Sequence, residues 1–330
     1  MNKLEDVVGN IIVTHKTLNM AIKLHSEAIS TIKSMNSSRG FSVVGPSGVG
    51  KTTYASLLES TFPSKRTIEG LEQQIIYCSV PPKPTLKSLA FSLLSALNDP
   101  FDNVFPFKRG KGVEHELKAR CIKLIKECNV KAVIFDECQH LTKNPDSEST
   151  YLATDWIKTF MDKINVVVIV MGLESTIHLF EQNEQLARRF SSTIKLQRFD
   201  WFENDSRSEF LGVLNAFQEN LPQFEFPELT STEMSFRFYS ASGGLLSHIA
   251  KLLNQTVLDA IHENRNVIDI KHLGVAYEKT MRVSNFDIGE NPFSGKFKPD
   301  PTSDSVKKAQ LIGAHVTAPY QRKNKKVIHA

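Results

Sequence analysis

Only four cysteines occur in 330 residues, Cys78, Cys121, Cys128 and Cys138, and no two form a C-x-x-C pair. Neither a disulfide framework nor a cysteine zinc site is indicated, and a reducing, cytoplasmic setting is expected. No apolar run approaches the roughly 20 residues that a membrane helix needs, so no membrane partner is expected. The opening Met1-Asn2-Lys3-Leu4-Glu5-Asp6 is too polar and acidic for a secretory signal. Internal repeats are lacking, and so is a large excess of either charge: 40 Lys and Arg against 36 Asp and Glu leave +4. That mild basicity is compatible with nucleic acid without requiring it. What remains is a chain with an ordinary hydrophobic share of 41%, long enough for one large or two modest domains.

Strand and helix patterns alternate along it. Lys16–Met35 carries Leu18, Ile22, Ile29 and Ile32 at largely helical spacing and predicts an amphipathic helix. Phe41–Val44 predicts a first strand, Gln74–Val80 a second closed by Pro81-Pro82, and Val130–Phe135 a third. Val166–Val170 is wholly β-branched, as suits a central buried strand, and Thr193–Phe199 supplies a fifth. Thr85–Leu97, Val113–Cys128 and Ser149–Ile164 predict helices between them. Residues 1–202 therefore predict an α/β fold with a five-stranded parallel sheet. Residues 203–285 lack strand runs and predict a small helical subdomain, including Ser206–Leu221 and Leu245–His262. From 286 to 330, four prolines and eight Lys/Arg against four Asp/Glu predict a mostly disordered basic tail.

Gly45-Pro46-Ser47-Gly48-Val49-Gly50-Lys51-Thr52 fits the phosphate-loop pattern G-x-x-x-x-G-K-[ST] without a mismatch, and Thr53 continues it. The first strand runs into this loop and a helix-forming stretch, Thr53–Glu59, runs out. The glycines let successive backbone N–H groups turn inward around a polyphosphate, and the helix start adds a positive dipole end. Lys51 is placed to reach the β- and γ-phosphates and Thr52 to put its hydroxyl on Mg²⁺. ATP and Mg²⁺ are the implied cofactors.

The third strand ends in two acids, Asp136 and Glu137. Asp136 is suited to hold Mg²⁺ through its water shell at the carboxyl edge of the sheet. Glu137 is suited to polarise an attacking water in line with the γ-phosphate. An acid directly after the metal aspartate favours hydrolysis over transfer to a small acceptor, so an ATPase is expected. Arg188 and Arg189, just before the fifth strand, fit either a finger reaching a neighbouring subunit's γ-phosphate or a solvated basic helix end. Cys138 and His140 alone supply too few ligands for zinc.

The loop GPSGVGKTT, the acidic strand AVIFDECQHL, the arginine pair in LARRF and a trailing helical segment resemble AAA+ ATPases. More narrowly the chain resembles the TnsC/TniB regulators of DNA transposition, whose acidic motif continues as DE-x-x-H-L. Its length and modest extensions are most similar to the TnsC of a CRISPR-associated transposon. The resemblance spans about residues 10–280 and implies an AAA+ core, a lid and a DNA-bound oligomer that links a target-selection adaptor to transposase subunits. It also implies that Lys51, Thr52 and Asp136 handle ATP·Mg²⁺, that Glu137 activates water, and that Arg188 or Arg189 is the finger. Val13-Thr14-His15 lies where such proteins place the adenine. Two departures stand out. The strand Val166–Val170 runs into Met171–Ser175, where Glu174, Ser175 or neither is the γ-phosphate sensor. In the lid motif Ser242–His248, Ser247 or His248 stands where an arginine is usual, which predicts slow or partner-stimulated hydrolysis.

For double-stranded DNA the best stretch is Phe105–Gly112, with Lys108, Arg109 and Lys111 beside glycines, followed by Lys118 and Arg120 on the next helix. Such contacts give affinity without reading sequence. The tail's Arg322-Lys323-Asn324-Lys325-Lys326 fits either DNA affinity or docking to a transposase. Two rival functions share these residues: a replication-initiator or helicase-loader ATPase, and a weakly hydrolysing nucleotide-gated DNA scaffold.

Overall fold

The computed structural model describes Val8 and residues 11–35, 37–68, 70–82, 84–98, 114–142, 148–181, 183–281 and 289–313, the side chains of 148–150 excepted. The candidate DNA residues Lys108, Arg109 and Lys111 lie outside the described residues, as does the basic run at 322–326.

Among the described residues seven strands are formed: β1 (Arg39–Val44), β2 (Lys65–Thr67), β3 (Gly70–Glu72), β4 (Ile75–Ser79), β5 (Ala132–Asp136), β6 (Val167–Gly172) and β7 (Phe190–Lys195). Five of them make a parallel sheet in the order β4-β5-β6-β1-β7, while β2 and β3 pair as a separate antiparallel hairpin. Helices α1 (Lys16–Thr31) and α2 (Lys51–Thr61) accompany the sheet, as do α3 (Leu86–Ala96), α4 (Glu114–Glu127) and α5 (Glu148–Met161). Short helices α6 (His178–Glu181) and α7 (Glu184–Ala187) connect β6 to β7.

The two faces of the sheet are both buried, and the strands alternate between them. Val133 and Phe135 of β5 and Val168 and Val170 of β6 join the α3, α4 and α5 side. Ala132, Ile134, Val167, Ile169 and Met171 face the α1 and α2 side. This is why β6 reads as a continuous β-branched run rather than an alternating one. The expected fifth strand shifts toward the N-terminus, ending at Lys195 rather than Phe199. Its apolar residues beyond that point are used elsewhere: Leu196 packs with the sheet core and Phe199 with the next subdomain.

That subdomain holds α8 (Asn204–Glu219), α9 (Thr232–Ser242), α10 (Leu246–His262) and α11 (Ile270–Thr280) around an aromatic core of Trp201, Phe210, Phe236 and Tyr239. Capping fixes the helix starts, with Ser231 accepting from the Met234 N–H and Asp269 forming a box with His272. The boundary expected at residue 286 moves. Residues 289–313 are a strap across the helical subdomain, ending in α12 (Ser303–Gln310), and of the expected tail 286–288 and 314–330 lie outside the described residues. Phe293 is buried against Phe238 and Tyr277, and the buried Arg237 donates to the carbonyl of Pro292 at 2.5 Å. A few well-placed aromatics anchor this strap without any periodicity, so composition alone pointed to disorder.

Candidate functional site

The loop after β1 is held from three sides. The Gly45 N–H donates to the Gly172 carbonyl at the end of β6 (3.1 Å), and the Ser247 N–H at the start of α10 donates to the Gly48 carbonyl (3.1 Å). Gly48 has φ +84°, and a Cβ there would stand 2.2 Å from Ser247 Oγ. Conformation and space therefore both demand glycine at this point. Lys51 opens α2 and is nearly buried; its Nζ donates to the carbonyls of Gly45 (2.7 Å) and Pro46 (2.8 Å). Desolvation lowers its pKa, and the nearby Asp136 and Glu137 charges oppose that shift.

Both acids sit at the carboxyl end of β5, with the end of β6 between them and the loop strand. Asp136 is buried; its Oδ2 accepts from the Tyr77 hydroxyl at 2.5 Å and its Oδ1 from the Glu137 N–H at 2.7 Å. Burial first, and the bond to Asp136 next, push the Tyr77 pKa well above its usual value, so Tyr77 stays a donor. Glu137 takes a left-handed backbone (φ 58°) that swings its side chain out of the strand line. Gln139 then bridges two elements: its Nε2 donates to Glu137 Oε2, and its Oε1 accepts from the Leu173 N–H at 3.1 Å. Gly172 makes room for this bridge, since a Cβ there would lie 2.5 Å from Gln139 Oε1.

These residues close on one cavity of about 290 Å³. Ser47, Gly48, Gly50, Lys51, Thr52 and Thr53 line it together with Asp136 and Glu137. Gly45 and Pro46 act through their carbonyls on Lys51, and Val49 is instead a core residue. The far end is apolar, formed by Val8, Ile11, Ile12 and Val13 with Phe217, Leu246 and Ala250 of the helical subdomain. An anion-binding end rich in N–H donors and an apolar end fit the two halves of a nucleoside triphosphate. Of the expected adenine segment Val13-Thr14-His15, Val13 lines this cavity beside Val8, Ile11 and Ile12. His15 meets Phe199 edge-on, lies 3.9 Å from Glu209, and lines a separate open cleft of about 710 Å³. Among the described residues no three His, Cys, Asp or Glu cluster to hold a metal. Thr52 and Asp136 facing one cavity suit Mg²⁺, which takes one or two protein ligands and completes its shell with phosphate and water.

The two sensor regions resolve differently. Glu174 and Ser175 are exposed, and neither lines the cavity; Glu174 faces the separate cleft. Ser247 does line it, whereas His248 does not. Burial lowers the His248 pKa, and its Nδ1 has no hydrogen-bond partner among the described residues. Cys138 is buried with its Sγ on the Phe135 carbonyl, and His140 Nδ1 donates to the Val80 carbonyl, so both are spent on holding the turn.

Neither arginine of the pair reaches this cavity. The Arg189 carbonyl accepts from the N–H of Gly40 at the start of β1, a strand length of roughly 17 Å from the loop that follows its end. Arg189 is committed within its own chain, to Asp162 (2.5 Å) and to the Gln185 carbonyl (2.8 Å). Among the described residues Arg188 pairs only with exposed Glu184, at 2.5 Å, and its side chain is 74% exposed. Lys118 is turned inward rather than toward a ligand: its Nζ donates to the Trp156 carbonyl at 3.0 Å and to Thr159, and sits 4.9 Å from the Trp156 ring centre. Arg120 lies on the same helix, α4. Sequence reasoning missed Tyr77 and Gln139, because a lone Tyr or Gln carries no motif. It missed the Ile11–Ile12 side of the pocket because that segment has no periodicity.

A sheet ordered in this way, a phosphate loop after its β1, paired acids after β5 and a helical lid closing the pocket define an AAA+ P-loop fold. Solved structures agree on that fold. The Aeropyrum pernix ORC2 protein matches with TM-score 0.60 at 14% identity, over 87% of this chain and 75% of that one. The Pyrobaculum aerophilum CDC6P matches with TM-score 0.60 at 10% identity, over 95% and 84%. The Aeropyrum pernix ORC1 protein, solved in complex with DNA, matches with TM-score 0.59 at 12% identity, over 83% and 68%. Comparison with curated protein sequences returns no significant match. The family model described as bacterial TniB protein matches residues 12–200, and the chain belongs to that family.

Proposed function

We propose that this protein is an ATP-hydrolysing regulator of DNA transposition. It assembles on duplex DNA with ATP·Mg²⁺ at each subunit boundary and links a target-selection adaptor to transposase subunits. Hydrolysis loosens the assembly. The reading rests above all on the single cavity that joins the phosphate loop, Asp136 and Glu137 and is roofed by α10. Membership of the TniB family supports the transposition role.

Each residue then has a defined task. Loop N–H groups and the Lys51 ammonium hold the phosphates, and Thr52 and Asp136 would hold Mg²⁺, which supplies charge neutralisation between phosphate oxygens. Glu137 takes a proton from the attacking water while Gln139 holds its carboxylate in place. Completion of the site falls to Arg188 of an adjoining copy, because its side chain is 74% exposed and paired with an exposed acid, whereas Arg189 is only 32% exposed and held to Asp162. A serine where an arginine is usual leaves one cation fewer on the γ-phosphate, which fits slow hydrolysis without partners.

Glu137→Gln tests the reading. ATP turnover should fall at least about 100-fold, within the range general-base catalysis supplies. ATP binding should persist, and assemblies on duplex DNA seen by electron microscopy should outlive those of the unaltered chain. If assembly lifetime does not change while turnover falls, hydrolysis does not control disassembly, and the nucleotide-gated scaffold is the better description.

A further inference from the structure

At the end of the sheet opposite the phosphate loop, the chain gathers cations that have no ion-pair partner among the described residues. The Arg39 N–H donates to the Val166 carbonyl (3.2 Å), and the Lys131 carbonyl accepts from the Val167 N–H (2.8 Å), so the two residues flank the start of β6. Lys33, in the turn that ends α1, has its pKa lowered by desolvation first and by the charge of Lys131 second. Exposed Lys163 stands in the turn leading into β6. The β2–β3 hairpin rises from the same edge. Gln74 at its base accepts from the Lys131 N–H (2.8 Å), and the Gln73 N–H donates to the Cys128 carbonyl (3.0 Å).

Among the described residues none of Lys33, Arg39, Lys65, Arg66, Lys131 and Lys163 forms an ion pair. Acids on this side are engaged: Asp162 by Arg189, Glu127 by Lys123, and Glu72 by the Asn129 side chain. The hairpin supplies a second, independent sign. None of its described residues joins a hydrophobic core, Lys65 and Arg66 are exposed, and Ile68 at its tip is fully exposed. An isolated two-stranded hairpin is marginally stable in water, so one whose described residues join no core, tied to the body by the Asn129–Glu72 bond at its base, suits a contact outside the chain.

We infer that this edge and its hairpin form a face for the DNA phosphate backbone, with Lys65 and Arg66 on phosphates and Ile68 entering a groove. The inference rests on the DNA-bound assembly proposed above. Protein interfaces carry apolar centres depleted in charge; here cations outnumber the apolar residues, which are Ile68 at the tip and the less exposed Leu71 opposite Arg66, while Glu72 opposite Lys65 is held by Asn129. Apolar side chains beside arginine and lysine are a known means of wedging into the minor groove.

Binding of the full chain with a non-hydrolysable ATP analogue to a labelled duplex, measured by anisotropy across a salt series, tests it. Lys65→Ala/Arg66→Ala and Arg39→Ala/Lys131→Ala should each reduce the slope of log affinity against log salt by about 2, one for each phosphate no longer neutralised. Ile68→Ala should weaken binding and leave the slope alone. Analogue binding should be unchanged in all three, which establishes that they fold. Unaltered affinity and slope in the hairpin double variant and in Ile68→Ala overturn the inference while the DNA-bound reading stands. A wild-type chain that does not bind duplex removes that reading itself.

Discussion

Gln139 shows how much of the site depends on a side chain that touches no phosphate. Its amide ties the Glu137 carboxylate to the backbone at the end of β6, so the base and the strand beside the phosphate loop keep a fixed relation. Gln139→Leu keeps similar bulk, frees Glu137 and leaves the Leu173 N–H without its acceptor. A general base displaced by an ångström loses up to about 100-fold in rate, while substrate affinity is untouched. We therefore expect kcat to fall toward that limit with KM for ATP unchanged, measured by steady-state phosphate release. A variant with wild-type kcat would show that Glu137 is positioned without this bridge.

Between elements, the α1–α2 contact carries a titratable group in the core of the nucleotide-binding fold. His25 of α1 is buried against Phe41, and its Nδ1 is hydrogen-bonded to the hydroxyl of Tyr54 on α2. Burial pushes the His25 pKa down to about 4. The folded value lies below the unfolded 6.5, so His25 costs nothing above pH 6.5. As pH falls from there toward 4 the unfolded chain takes the proton first, and up to about 3 kcal/mol of stability is lost. Thermal unfolding of the wild type should therefore weaken across that window more steeply than that of His25→Gln, whereas parallel curves would exclude the histidine as the cause. This helix pair was legible from the spacing of Leu18, Ile22, Ile29 and Ile32, and the phosphate loop and acidic strand from their motifs. Where packing is aromatic and aperiodic, the sequence was mute. Phe293 in the strap is an isolated apolar residue whose partners lie far away in the chain. The β2–β3 hairpin was invisible for the opposite reason, since its residues bury nothing.

For the whole molecule, the distance between the arginine pair and its own phosphate loop makes a statement about assembly. A guanidinium a full strand length from the cavity does not reach its own site, so the proposed finger role requires a boundary between copies. Two variants separate the halves of such a site. Arg188→Ala keeps an intact pocket and supplies no finger, whereas Glu137→Gln supplies a finger and has no base. Each alone should be nearly inactive. In an equal mixture that co-assembles at random, about one boundary in four joins an Arg188→Ala pocket to an Arg188 from a Glu137→Gln copy, so roughly a quarter of wild-type turnover should return. Phosphate release on mixing, with DNA present, reads this directly. If the mixture stays as silent as its components while both variants still assemble, Arg188 does not act across the boundary. Recovery with Arg188→Ala but not with Arg189→Ala in its place would mean that Asp162 needs Arg189 for folding of the α7–β7 segment, as their 2.5 Å contact within one chain suggests.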